Sequence, residues 1–192
     1  MRNTRADVVA AALRVLAAQG LESCSMRRVA AELDVQPSAL YHHVPNKQSL
    51  LALMADEIVS GVPLAGADPR ALCEGLRVAM LAVRDGADVV ATAEAFRLGS
   101  SAVEGRLAEL VGRDGARTLL LYTFGHTQAT QTHRQAAEFG ALLAAPGADL
   151  DASFGRGLAI ILAGLAGVAG LVGEPGGETG GSGRERKIVP SH

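Results

Sequence analysis

The stretch from Ser25 to Lys47, SMRRVAAELDVQPSALYHHVPNK, leaves this chain few choices of fold. A helix opens at Ser25, whose hydroxyl can accept an orphan backbone N–H two or three residues on, and helical spacing turns Val29, Ala30 and Leu33 inward. Asp34 and Val35 make a turn. Pro37 suits the first turn of a second helix, where its missing N–H has no intrahelical partner and its ring holds φ near the helical value. Pro45 forbids continuation and biases Val44 away from the α region. The second helix is therefore expected from Pro37 to Val44, about two turns and roughly 12 Å at 1.5 Å per residue. Asn46 caps the next helix.

Leu40 and Val44, four apart, face back onto Val29 and Leu33, which leaves Ser38, Ala39, Tyr41, His42 and His43 on the outer surface of the second helix. A soluble helix seldom exposes that set without a partner. The arrangement fits a helix-turn-helix, whose second helix enters the major groove and sets its N-terminal side chains against base edges. Tyr41 and Lys47 suit phosphates, because a hydroxyl on the outer face and an ammonium at the start of the next helix fix a protein's register on the duplex. Ser38, Ala39, His42 and His43 are left to read bases, and which histidine does so stays open.

At these residues the chain resembles the tetracycline-repressor (TetR) family of bacterial regulators. The shared pattern is a basic helix, a turn, then L-Y-x-H-V-x-N-K with the next helix starting at the Lys, present here as Leu40, Tyr41, His43, Val44, Asn46 and Lys47. A resemblance to the tetracycline repressor itself continues in LRVAMLAVRDGADVV, LLLYTFGHTQ and SFGRGLAIILAGL. The resemblance implies a homodimer paired through its last two long helices. It also implies a set of contacts to double-stranded operator DNA: Ser25, Arg27, Pro37, Ser38, Ala39, Tyr41, His42, His43 and Lys47. The proline sits one position earlier than in the tetracycline repressor and His42 replaces a bulky aromatic, so the operator sequence does not carry over. Nor does the drug. The positions matching that protein's drug and metal ligands are Pro63, Leu72, Leu76, Val90 and Arg134, which offer no magnesium ligands, so no Mg–tetracycline sensing is expected.

With 48% hydrophobic residues, only 3% aromatics and no Trp, the chain favours helix over sheet, and the expected fold is all-α. Residues 1–62 form a three-helix DNA-binding head, with a fourth helix from about 46 as connector. Residues 63–172 form a helical effector-binding and dimerisation domain, and residues 173–192, rich in Gly with no apolar period, a disordered tail. Net charge is −2, yet residues 1–50 carry six Lys or Arg against four acids. That asymmetry suits a DNA-facing end. Cys24 and Cys73 are isolated and read as reduced thiols in a cytoplasmic protein. The longest uncharged run, from Gly157, is about 17 residues and interrupted by glycines, short of the roughly 20 that a membrane span needs.

Along the chain, Thr4–Gln19 reads as a helix stopped by Gly20, and the connector carries Leu50, Leu53, Met54 and Ile58 to touch both the head and the second domain. Asp85-Gly86 is a turn. Short helices are expected at 91–96 and 100–111, a turn at Gly112–Gly115, a long helix at 116–139, a loop at 145–151 and a final helix at 153–172. The long helix carries a polar stripe of Tyr122, His126, Thr130 and His133. Together with Leu72, Leu76, Met80, Val90, Phe96 and Leu107 it makes an expected effector site: an apolar cavity with a few groups to orient a guest. His126 and His133, two turns apart, lack the ligand spacing of a metal site even with Cys73 added, so no metal and no cofactor are expected. Ser25 and Ser49 lack nucleophile-elbow context and no carboxylate pair stands in an acid/base setting, so no enzyme is expected either.

The expected function is a homodimeric repressor released from operator DNA by an apolar small molecule. The alternative is a TetR-like activator or a ligand-independent regulator.

Overall fold

The computed structural model of the chain describes residues 3–96, 102–138, 140 and 149–172, and among these it finds eight helices and no strand. They are α1 (Arg5–Gln19), α2 (Met26–Glu32), α3 (Pro37–Leu40), α4 (Lys47–Val59), α5 (Pro69–Leu81), α6 (Gly86–Ala95), α7 (Ala102–Glu138) and α8 (Leu150–Val172). The expected tail at 173–192 lies outside the described residues.

Side-chain caps set most starts. The Thr4 hydroxyl accepts from Asp7 N at 3.2 Å while Asp7 Oδ2 accepts from Thr4 N at 2.7 Å, a reciprocal capping box. Ser25 Oγ accepts from Arg28 N at 3.3 Å and Asn46 Oδ1 from Ser49 N at 2.8 Å. α1 ends at Gly20, where φ is +79°, and a Cβ there would also sit 2.9 Å from Asp85 Oδ2. Only glycine meets both conditions.

Four boundaries differ from the periodicity. α3 is a single turn rather than two, and Val44 N bonding Leu40 O at 2.8 Å closes a tight turn up to the residue that Pro45 forbids to be helical. α6 begins at Gly86, not near 91, because Asp85 takes a left-handed conformation (φ 54°) and reverses the chain in one residue. Only Gly112 breaks α7 (φ 75°, ψ 166°); Gly115 is helical and packed, with Leu165 Cδ2 3.3 Å from where a Cβ would stand. α8 starts three residues before Ser153, with Asp149 Oδ1 accepting from Ala152 N at 2.9 Å. The start of the expected loop, 145–148, lies outside the described residues.

Val8, Leu16, Val29, Leu40, Val44, Leu50 and Met54 fill the space between α1, α2, α3 and α4. The same connected core continues through Ile58 and Val62 to Leu72, Leu76, Met80, Leu107, Leu119 and Leu158. α4 lies against α1 on one side and packs extensively on α6 on the other, so it connects the head to the helices behind it.

Candidate functional site

In the head, burial of Leu40 and Val44 fixes the roll of α3 and turns the neighbouring residues outward. Ser38, Ala39, Tyr41 and His42 are exposed, Tyr41 to 52%, and His43 is half-buried. Arg27 and Lys47 are exposed at the first turns of α2 and α4, while Ser25 and Pro37 are half-buried, Ser25 as a cap. Lys47 and Tyr41 are thus both open to solvent. His43 also lines a 260 Å³ depression with Arg5, Pro45, Ser49 and Asp56, whose carboxyl burial pushes up.

Behind the head, the expected effector residues are mostly packed. Leu72, Leu76, Met80, Leu107 and Thr130 are fully or nearly fully buried, and Val90 is buried; Tyr122, His126 and His133 are half-buried, and Phe96 is exposed. The polar stripe is engaged from within. Arg77 on α5, 5% exposed, reaches across to α7 and α8. It donates from Nη1 to Thr130 Oγ1 at 3.2 Å and from Nη2 to Asp151 Oδ1 at 2.7 Å, and its guanidinium lies 4.7 Å over the Phe154 ring. Thr130 donates to the His126 carbonyl at 2.8 Å, and in any bond with Arg77 Nη1, 3.5 Å away, His126 Nδ1 is the acceptor because a guanidinium only donates. Burial, then the Arg77 charge, pull the His126 pKa below its ordinary value. The Tyr122 hydroxyl donates to Phe154 O at 2.9 Å and presses on Gly157, where no Cβ would fit. Arg134 bonds both Asp151 oxygens at 3.3 Å.

A second group of bonds ties this domain to the head. Asp85 Oδ2 accepts from Leu21 N at 2.8 Å and Oδ1 from Gln135 Nε2 at 2.7 Å. Arg84 Nη1 donates to Ala18 O at 3.3 Å. Gln131 closes the same turn, accepting from Ala87 N at 3.0 Å and donating to Val83 O at 2.8 Å. A cavity of about 550 Å³ lies between α6 and α7, with Ala91, Ala95, Leu120, Leu121 and Phe124 as apolar wall and Glu94, Glu104, Arg117 and Gln128 as polar groups. It takes none of the ten expected effector residues. Cys24 and Cys73 are both buried, with thiol pKa values raised by burial, and no cluster of three metal-ligating side chains occurs among the described residues.

The profile of bacterial regulatory proteins of the tetR family matches residues 8–54, which hold the outward surface of α3. A possible TetR family transcriptional regulator from Streptomyces coelicolor A3(2) is 32% identical, with a TM-score of 0.67 over 85% of this chain and 99% of that one. This chain belongs to the TetR family. BioQ with its double-stranded DNA operator superposes at TM-score 0.74 and 31% identity over 85% of this chain and 98% of that one. The Streptomyces coelicolor TetR family protein ActR in complex with (S)-DNPA does so at 0.67 and 25% over 88% and 99%. The chain spans less than half the length of the curated relatives it matches, among them the tetracycline repressor of class A from transposon 1721 of Escherichia coli, of which it covers 42%.

For a TetR-family chain the residues that periodicity missed are the charged ones. Arg77 sits among Cys73, Leu76 and Met80 on the buried stripe of α5, and a lone arginine in an apolar stripe is a signal that could have been read. Asp85 was legible as a turn residue, but its bonds to Leu21 and Gln135, 64 and 50 positions away, were not.

Proposed function

We propose that this chain is a homodimeric transcriptional repressor of the TetR family, cytoplasmic, binding double-stranded operator DNA through α3 and releasing it when a small molecule binds behind the head. The observation that carries the reading is the exposure of Ser38, Ala39, Tyr41 and His42 on α3 and the turn after it, with Arg27 and Lys47 also exposed and Leu40 and Val44 buried as anchors. Exposed hydroxyl, imidazole and ammonium groups are the kinds that read base edges and hold phosphates. BioQ, in complex with its operator, supports the DNA partner, and ActR, in complex with (S)-DNPA, supports a ligand.

Dimerisation is supported by α8. Phe154 and Leu158 dock α8 onto the rest of the domain, while Ile160 (73% exposed) and Val168 of α8 face outward. Length alone does not exclude a membrane span, contrary to expectation, since Leu150–Val168 is 19 residues of apolar helix with 11% of that window buried. A second copy of the chain covers the same face and also supplies the second head that reads the next major groove.

The effector is an uncharged or weakly polar molecule. The 550 Å³ cavity is of ligand size, and Ala91, Ala95, Leu120, Leu121 and Phe124 give it an apolar wall. The engagement of Tyr122, His126 and Thr130 within the chain favours one other reading, a regulator that needs no ligand. Salt titrations of operator binding test the DNA surface. Tyr41→Ala and Lys47→Ala each weaken binding to all sequences, and Lys47→Ala, which removes a cation, also lowers the salt slope by about one. Parent-like titrations of both variants refute the docking. Ligands that stabilise the protein yet leave operator affinity unchanged select the ligand-independent reading.

A further inference from the structure

Each helix of the head opens on a residue that caps it with its side chain, except α3. Thr4, Ser25 and Asn46 each accept from the N–H three residues on, and Asp68 does the same for α5 behind the head. At α3 the capping position is Gln36, whose side chain makes no capping bond. Glutamine is a poor N-cap, because its extra methylene carries the amide oxygen past the N–H groups that Ser, Asp or Asn reach. A cap forgone at one helix start and kept at its neighbours is the kind of local conflict that functional positions carry. The backbone on both sides of Gln36 is held: Val35 N donates to Ala30 O at 3.0 Å, Gln36 O accepts from Ala39 N at 2.9 Å, and Pro37 fixes the next φ. The Gln36 side chain is exposed, at the start of the run that carries the exposed Ser38, Ala39, Tyr41 and His42. An uncommitted amide thus stands on a fixed base.

We propose that Gln36 reads a base, and that it selects an adenine in the operator half-site. The N-terminal residues of a recognition helix are those that meet base edges in the major groove. A carboxamide holds an acceptor and a donor side by side in one plane, and adenine N6–H and N7 match them with two hydrogen bonds. Guanine presents two acceptors there, and thymine and cytosine a single polar group, so each of these leaves the amide partly unpaired. The other exposed residues of the run lack such a pair: the Ser38 hydroxyl suits any base, the Ala39 methyl suits a thymine methyl, and Tyr41 and His42 meet an edge through a single atom. The assignment rests on the reading of α3 as the DNA surface.

The test is binding-site selection from random duplexes, with affinities measured by fluorescence anisotropy at fixed salt, on the full chain and on Gln36→Ala, Gln36→Glu and Gln36→Ser. The parent selects adenine at one position of the half-site. Gln36→Ala lowers that preference about tenfold or more and keeps the preferences at other positions. Gln36→Glu binds more weakly overall and exchanges adenine for cytosine at the same position, since a carboxylate only accepts and cytosine N4 donates. Gln36→Ser supplies a capping hydroxyl, so the melting temperature rises by about 2–4 °C while the adenine preference is lost. A solvated N-cap of purely structural role moves the first and leaves the second. A Gln36→Ala profile identical to the parent's, a weakening equal at all sequences, as from a lost phosphate contact, or a Gln36→Glu profile without cytosine at the adenine position each overturns the assignment. Should Tyr41→Ala and Lys47→Ala then titrate as the parent does, the DNA surface falls with it; should those two weaken binding, only the Gln36 contact falls.

Discussion

The head and the domain behind it place their polar side chains in opposite ways. Around α3 they stand at the surface: Ser38, Tyr41, His42 and Lys47 face water over a small apolar core. In the second domain they turn inward and hold helices together, Arg77 to α8, Gln131 across the α5–α6 turn, Asp85 to the head. A surface proposed to receive DNA keeps its donors and acceptors available, whereas a region that must hold α8 and the α5–α6 turn in set positions uses them as ties. Substitutions of the exposed polar residues in the first region therefore change binding with little effect on stability, and those of the inward polar residues in the second change both.

The largest effect that sharpens this contrast lies under the surface that binds. Leu40 is fully buried, and Leu40→Ala costs about 2–5 kcal/mol of stability by cavity formation, measured by urea unfolding, with operator binding lost in parallel. Unchanged stability shows that α3 is not anchored through Leu40. Next comes the tie between α7 and α8. A methyl at Gly157 meets the Tyr122 hydroxyl, so Gly157→Ala costs about 1–3 kcal/mol by overpacking, and it loosens the dimer in sedimentation while leaving the head surface intact. A variant with parental melting temperature and parental dimer dissociation refutes the packing and its link to assembly together.

His42→Ala leaves stability within about 0.5 kcal/mol, as for an exposed site, yet relaxes preference at individual base pairs by roughly 1–3 kcal/mol in a binding-site selection. A selection profile identical to the parent's assigns base reading to the other residues of α3. The smallest effect is a pH slope in the second domain. The folded-state pKa of His126 is depressed, so the stability it contributes is present above its unfolded value of 6.5 and falls away as pH drops through that value toward the folded one. The Asp151 carboxyl, held below the ordinary range by its bond from Arg77, adds a loss of the same sign at lower pH. Unfolding titrations at pH 7 and pH 5 read the first; His126→Gln flattens it, and a parental slope in that variant assigns the titration elsewhere.

The head was legible because its information is local. Thr4, Ser25 and Asn46 cap within three residues, Pro37 opens α3, and Leu40 and Val44 are the buried pair at and just beyond its end. The all-helical fold and the family emerge from such short-range patterns. The second domain was legible only as helices. The lengths of α6, α7 and α8 turned on one left-handed Asp85, on a Gly115 held by Leu165, and on an Asp149 cap, none of which periodicity reports. The polar stripe of α7 was visible as a stripe; that Arg77, 49 and 53 positions before His126 and Thr130, would reach it was not.

Residue type and spacing thus determined where helices start, which faces are apolar, and that α3 shows its polar side to the outside, since these depend on contacts within a few turns of chain. The partner each buried charge takes, the location of the open volume between α6 and α7, and the tie from Asp85 to Leu21 were decided by tertiary structure alone. They depend on distances between residues far apart in sequence, and those distances exist only once the helices have packed.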